Sequence, residues 1–117
     1  MILRVMRARL LHRDAPELLE RVRVLIEARP DGLLDACWGI QEDENGSNLL
    51  VTSTWRDLES IYLAVGGHDL LGDAALLQGM EERVQDFEVQ HYSVEGSTHP
   101  AMTAGQGAAD TLAVGGR

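Results

Sequence analysis

The candidate catalytic residues in this sequence are His91, Tyr62 and Arg7, and His68 is a candidate for binding a substrate. His91 lies in a predicted strand, and its imidazole could act as a base near neutral pH. Arg7 lies in another predicted strand. It could hold an anion or stabilise a developing oxyanion, unless its face packs on a partner subunit and it forms an ion pair there. His68 directly follows Gly66-Gly67, which predicts a helix break and a loop that could form a cavity entrance. For both histidines the alternative is an ordinary half-buried position.

Two tyrosines and two tryptophans could bind a ligand. Tyr62, in a predicted helix, and Tyr92, in a predicted strand, carry hydroxyl groups that could hydrogen-bond a phenolic substrate. Trp38 and Trp55 are the largest apolar side chains and could line a cavity. The alternative is that the tyrosines lie at the margin of the core, and the tryptophans in the core or a subunit interface. A buried tryptophan needs an acceptor for its N–H group.

No pattern in the sequence is typical of a metal, disulfide or nucleotide site. The histidines, His12, His68, His91 and His99, lack metal-ligand spacing, and Cys37 is the only cysteine. A zinc site and an internal disulfide are therefore not predicted. There is no glycine-rich phosphate loop and no Ser/His/Asp signature. We predict that the protein uses no metal and no cofactor.

The composition predicts one acidic, globular domain of 117 residues with a net charge of −9. Such a chain repels nucleic acid, although seven of its ten arginines lie within 1–29 and could form either salt bridges or an anion site. No apolar run approaches the roughly 20 residues of a membrane span. Arginines alternate with apolar residues over 1–14, which is unlike a signal peptide. We therefore predict a cytoplasmic protein that binds neither nucleic acid nor a membrane.

Hydrophobic periodicity divides residues 1–95 into four strands and two helical regions. Strand 2–11 places Leu3, Val5, Arg7 and Arg9 on one face and Ile2, Arg4, Met6, Ala8 and Leu10 on the other. A helix follows from the N-cap Asp14, with Glu17 completing a capping box, and ends near Arg29. Strands 33–41 and 49–55 flank a turn over 42–48, in which Asn45-Gly46 is a strong hairpin signal.

The second helical region begins at the cap Asp57, is interrupted at Gly66-Gly67, and resumes as far as Val84. Residues 86–94 form the last strand, and 96–117 are a flexible tail rich in Gly and Ala. This order predicts an α+β, ferredoxin-like βαββαβ fold with a four-stranded antiparallel sheet. Two helices cover one face only, yet the strands carry apolar residues on both. We therefore expect a homodimer.

Three stretches and the last strand resemble the antibiotic biosynthesis monooxygenase-like family of the dimeric α+β barrel superfamily. They are the opening strand ILRVMRARLL with its capped helix, Asp31-Gly32-Leu33-Leu34, LLVTSTWRDLESIYLAV, and the closing FEVQHYSV. The resemblance covers 1–95 and implies two sheets packed back to back, with a cavity between each sheet and its own helices. It also implies a tryptophan near the cavity, where Trp55 lies.

Members of this family include oxygenases of aromatic polyketides that use neither metal nor flavin. The resemblance implies a small-molecule-binding homodimer in which a base such as His91 helps to form a phenolate. A non-catalytic ligand-binding or interaction dimer is the alternative. Haem binding or degradation is a weaker one, because the haem-degrading relatives share a first-strand Asn, a second-helix Trp and a helical His ligand. Here the corresponding elements offer Met6 and Arg7, Tyr62, and His68 at a Gly-Gly break.

Overall fold

The computed structural model describes residues 1–65 and 74–98. The chain forms β1 (Ile2–Leu10), α1 (Ala15–Glu27), β2 (Leu33–Asp43), β3 (Gly46–Trp55), α2 (Leu58–Val65), α3 (Ala74–Leu77) and β4 (Val84–Ser93). The strands form one sheet in the order β2-β3-β1-β4, and all neighbours are antiparallel. The predicted ferredoxin-like βαββαβ fold is confirmed. The predicted break at Gly66-Gly67, the loop at His68 and tail residues 99–117 lie outside the described residues.

The helices cover one face of the sheet, and the apolar core on that face is divided into two clusters. Alternation of side chains directs Met6, Ala8 and Leu10 of β1 to this face, as the sequence predicts. The larger cluster comprises Met6, Ala8, Leu10, Leu18, Val22, Leu49, Val51, Leu76, Leu77 and Met80. The smaller comprises Trp55, Ile61 and Val65, against which Ile2, Leu33 and Ala64 pack. We call the opposite side of the sheet, which no described helix covers, the open face.

Helix α1 begins after Asp14 as predicted, but the predicted capping box is wrong. The side chain of Asp14 makes no capping hydrogen bond. Instead its Oδ1 accepts a hydrogen bond from Arg83 Nη1 at 3.4 Å, and Glu17 Oε1 accepts one from the same nitrogen at 2.8 Å. Both acids of the expected motif therefore tie α1 to the segment that precedes β4.

The β2–β3 hairpin is tighter than predicted, with Glu44 and Asn45 alone in the turn. Asp43 pairs with Gly46, and Asp43 Oδ1 accepts hydrogen bonds from the backbone N–H groups of Asn45 and Gly46 at 2.8 and 3.0 Å. Gly46 thus starts β3 rather than forming the turn. A Cβ at Gly46 would lie 2.5 Å from the carbonyl oxygen of Leu10, so glycine permits the close approach of two strands.

Asp43 also receives two hydrogen bonds from the guanidinium of Arg9, at 3.0 and 3.1 Å. The bond from Arg9, together with those from the turn, lowers the pKa of Asp43 to about 2 from an ordinary value of 3.8. Because the unfolded chain binds this proton more readily, the carboxylate stabilises the fold above pH 4 and loses that effect as the pH falls towards 2. Asp43→Asn should therefore lower the free energy of unfolding at neutral pH. Urea titrations measure this free energy, and the difference between the variant and wild type should disappear as the pH falls from 4 to 2. A difference that does not depend on pH would contradict this prediction.

The last strand begins at Val84, two residues earlier than predicted, and Val84 pairs with Leu10 across a register shift. The prediction that the helical pattern continues to Val84 is therefore wrong. Helix α3 ends at Leu77, and Gly79 adopts a φ of +82°, which reverses the chain before the strand. Met80 is still buried in the larger cluster, which explains its helix-like spacing. No helix among the described residues has both the length and the apolar character to span a bilayer.

Candidate functional site

Three polar residues lie side by side on the helix-covered face, in the middle of the sheet. The register of the sheet pairs Arg4 of β1 with Ser53 of β3 on one side and with His91 of β4 on the other. Arg4 and Ser53 are each 5% exposed, and both Arg4 Nε and His91 Nε2 are shielded from solvent. We call Ser53, Arg4 and His91 the polar row.

The polar row separates the two apolar clusters. Two residues further along each strand, on the same face, lie Val51, Met6 and Val89, which belong to or pack on the larger cluster. In the other direction lie Trp55 and Ile2 of the smaller cluster. A few polar groups between apolar walls are typical of small-molecule binding sites.

Trp55 is joined to the polar row by a buried hydrogen bond. Its indole Nε1 donates to Ser53 Oγ at 2.8 Å, and the residue is only 3% exposed. The bond satisfies the indole N–H and leaves the Ser53 hydroxyl proton available for another acceptor. Trp55 therefore packs beside the polar row and constrains the orientation of Ser53.

Arg7 and Tyr92, which the sequence grouped with His91, lie on the open face. Arg7 Nη1 is 3.8 Å from Glu88 Oε1. Tyr92 is exposed and donates its hydroxyl hydrogen bond to Gln90 on the same strand. Side-chain alternation puts the odd residues of β1 and the even residues of β4 opposite His91. The sheet thus separates Arg7 and Tyr92 from His91, so these three residues do not lie on one face.

The other predicted site residues lie at different depths. Trp38 of β2 is half-buried and packs against the larger cluster beside Val51. Tyr62 is half-buried on α2, one residue after the fully buried Ile61. His68 lies outside the described residues. Of the predicted set, His91 belongs to the polar row and Trp55 bonds to Ser53 within it.

Arg4 and Ser53 were missed by the sequence analysis, although the sequence carries a signal for Arg4. The even positions of β1 are otherwise apolar, namely Ile2, Met6, Ala8 and Leu10. A single arginine on such a face must be buried among them, where a charge is retained only with a compensating interaction. Ser53 likewise shares an alternating face with Leu49, Val51 and Trp55, but the signal is weaker because a serine hydroxyl is readily satisfied by nearby backbone groups.

A groove on the helix side reaches the smaller cluster. It has a volume of about 470 Å³ and runs between α1 and the α2–α3 region. Its lining residues are Glu20, Arg21, Val24, Leu25, Ala64, Val65, Leu76 and Gln78. Ala64 and Val65 belong both to this groove and to the cluster around Trp55. Within residues 1–65 and 74–98, no group of three or more His, Cys, Asp or Glu side chains is placed to hold a metal ion.

Solved structures with the same fold include proteins of the family that the sequence resembles. One, from Deinococcus radiodurans, is named as a candidate antibiotic biosynthesis monooxygenase. It is 17% identical with a TM-score of 0.65, and the match covers 83% of this chain and 95% of that one. Another is a variant of SnoaB, a cofactor-independent oxygenase from Streptomyces nogalater. It is 12% identical with a TM-score of 0.58, and the match covers 82% of this chain and 95% of that one.

The fold is also that of a designed protein, so the likeness concerns architecture alone. The de novo designed Foldit4 is 12% identical with a TM-score of 0.56, and the match covers 82% of this chain and 98% of the design. No protein-family model and no curated protein matches this sequence. The resemblance to antibiotic biosynthesis monooxygenase-like proteins is confirmed at the level of the fold. Activity has to be argued from the site itself.

Proposed function

We propose that this chain is a small-molecule-binding homodimer that acts as a cofactor-independent monooxygenase on electron-rich aromatic substrates of the polyketide type. The observation that carries this proposal is the polar row, which lies between two apolar clusters on the helix-covered face. An apolar aromatic ligand with a phenolic oxygen is complementary to such a site. The shared fold with a cofactor-independent oxygenase adds support by analogy only.

In the proposed reaction the substrate supplies the electrons and the protein supplies position and charge. His91 accepts the acidic proton of the substrate, which is a phenolic O–H proton or, in anthrone, a C–H proton of the methylene group opposite the carbonyl. The guanidinium of Arg4 stabilises the phenolate oxygen that forms in either case. The phenolate then reacts directly with molecular oxygen. With anthrone as substrate, one oxygen atom enters the quinone and the other leaves as water. No protein group changes its oxidation state.

Ser53 and Trp55 would orient the ligand. Ser53 already accepts a hydrogen bond from Trp55, so its own proton can be donated to a ligand oxygen. The groove between α1 and the α2–α3 region shares Ala64 and Val65 with the wall of the site, and it is the entrance that we assign to the substrate. Exclusion of water by the apolar clusters strengthens the electrostatic effect of Arg4.

Oxygen uptake with anthrone tests the catalytic part of the proposal. Wild-type protein should consume oxygen and form the quinone faster than the uncatalysed reaction, without added metal, flavin or haem. Binding of 1,8-dihydroxyanthraquinone without any oxygen uptake would instead favour a non-catalytic ligand-binding dimer. A haem titration in parallel should give no Soret shift, and a saturable shift would favour haem binding.

The homodimer in this proposal would form through the open face, where Leu50 is 42% exposed and Leu3 and Val5 point away from the helices. A second copy related by a two-fold axis would cover these side chains. Light scattering at micromolar concentration should give twice the mass of one chain. A monomer under these conditions would contradict the dimer while leaving the site chemistry to be judged by oxygen uptake.

A further inference from the structure

The polar row is continued by a small apolar residue on the edge strand β2. The register pairs Ala36 of β2 with Ser53 of β3. In strand order, this line of side chains on the helix-covered face is therefore Ala36, Ser53, Arg4 and His91. Neighbouring strands lie about 4.8 Å apart, so Ala36 is about 10 Å from Arg4 and about 14 Å from His91. A ligand whose acidic group is held at Arg4 and His91 has to extend across two further strands to reach Ala36.

Ala36 lies between two much larger side chains on the same face of β2. On one side is Trp38, which pairs with Val51, and on the other, across the register shift, is Leu33, which pairs with Trp55. Trp38 packs on the larger apolar cluster and Leu33 on the smaller one. Because a methyl group fills far less space than either neighbour, the sheet has a recess at this point. We call it the Ala36 notch.

The exposure of the side chains indicates that the Ala36 notch is accessible. Ser53, the neighbour of Ala36 in the row, is 5% exposed, whereas Ala36 itself is half-buried. Trp38 is also half-buried, so part of its indole surface remains accessible. A ligand that covers these two side chains removes their remaining apolar surface from water, which favours binding. An aromatic ring gains further from packing against the indole.

We propose that Ala36 determines the length of the ligand that this site takes. Its small side chain admits an aromatic ligand of three fused rings, whose far ring lies in the Ala36 notch and packs against Trp38. This inference rests on the proposed function, because it uses Arg4 and His91 to hold the acidic end of the ligand. A ligand of one ring occupies the middle of the polar row and does not reach β2.

This placement separates selection by length from binding of the acidic group. A larger side chain at position 36 fills the notch and clashes with a long ligand, while a short ligand is unaffected. Specificity is a difference between two affinities, and here it comes from a steric clash with the longer ligand alone. Loss of the guanidinium of Arg4, in contrast, weakens the binding of long and short ligands alike, because both use it.

Larger side chains at position 36 test this inference in calorimetric titrations with two ligands. The long ligand is 1,8-dihydroxyanthraquinone, and the short one is 2-hydroxyacetophenone, which carries the same hydroxyl group beside a carbonyl on a single ring. Wild type should bind both. Ala36→Leu should raise the dissociation constant of the long ligand by at least about 10-fold, because the added methyl groups overfill the notch. The constant for the short ligand should stay within about 2-fold of wild type. Ala36→Val should give an intermediate effect, and it keeps the test valid if Ala36→Leu does not fold.

The matched control is Cys37→Leu, which places leucine at the next position of β2 but on the open face, where Cys37 is exposed. It should bind both ligands like wild type, and circular dichroism checks that each variant is folded. If Ala36→Leu binds the long ligand as Cys37→Leu does, or loses affinity for both ligands equally, Ala36 does not determine ligand length and the inference is overturned. Oxygen uptake then still decides the proposed function. A wild-type protein that binds neither ligand and consumes no oxygen would overturn the proposed function and this inference together.

Discussion

Replacing His91 with glutamine is expected to lower the oxygen-uptake rate with anthrone by about 100-fold or more, the usual effect of losing a positioned base. Glutamine keeps a polar side chain of similar reach in the polar row but cannot accept a proton near neutral pH. The loss should appear mainly in kcat rather than in KM. The residual rate should rise with pH, because anthrone then loses its methylene proton to solvent without help from the protein.

Arg4→Gln should also lower the oxygen-uptake rate, but it should change the pH dependence of that rate in a different way from His91→Gln. Without the guanidinium, the phenolate is stabilised less, so the pH dependence should move to higher pH while the base remains in place. His12→Gln is the matched histidine control, because His12 is exposed near the end of β1, with its Nδ1 atom 3.1 Å from Ser47 Oγ. If His91→Gln and Arg4→Gln behave like His12→Gln, the polar row is not the catalytic site.

Gly32→Ala is expected to lower the free energy of unfolding by about 3 kcal/mol, which combines backbone strain with steric overlap. Gly32 has a φ of +91°, and an added Cβ would overlap the Oγ and Cβ atoms of Ser60. Ser60 has little freedom to move, because its N–H and Oγ both donate to Asp57 Oδ1, at 2.8 and 2.7 Å. Urea denaturation monitored by Trp fluorescence measures the change.

Gly39→Ala is the control for this substitution. Gly39 lies in β2, where an added Cβ would have no atom within 4 Å, and its φ is not in the left-handed region. Its stability should change by less than about 0.5 kcal/mol. Combining Gly32→Ala with Ser60→Gly should recover part of the loss, since the overlap is removed while the backbone strain persists. Equal stability of Gly32→Ala and Gly39→Ala would contradict the geometry at this turn.

The faces of β1 followed from the sequence, but the site did not. Alternation alone separated Arg4 from Arg7, because successive side chains point to opposite faces. Which face the helices cover, and which residue of β4 lies beside Arg4, depends on pairing between distant segments. His91 was singled out for its chemistry, while its neighbours in the polar row required the register of three strands.

Predictions from short sequence motifs were wrong where a residue far away in the chain contacts the residues of the motif. Asp14 occupies the N-cap position as its type predicts, yet its carboxylate binds Arg83, 69 residues away in the chain. The Asn45-Gly46 motif correctly predicted a hairpin, but the two turn residues are Glu44 and Asn45, one position earlier than the motif. Glycine is needed at position 46 because the carbonyl oxygen of Leu10 leaves no room for a Cβ atom there. Neither contact is visible in a local window of sequence.

The division of the core by the polar row also has a consequence for how a ligand could enter. The smaller cluster joins α2 to the sheet through few side chains, whereas the larger one holds α1 and α3. The two can therefore differ in local stability, as separately opening units of one domain do. Partial detachment of α2 would expose Trp55 and the polar row while α1 stays packed. Substrate exchange would then be limited by a local opening equilibrium and would not require the domain to unfold.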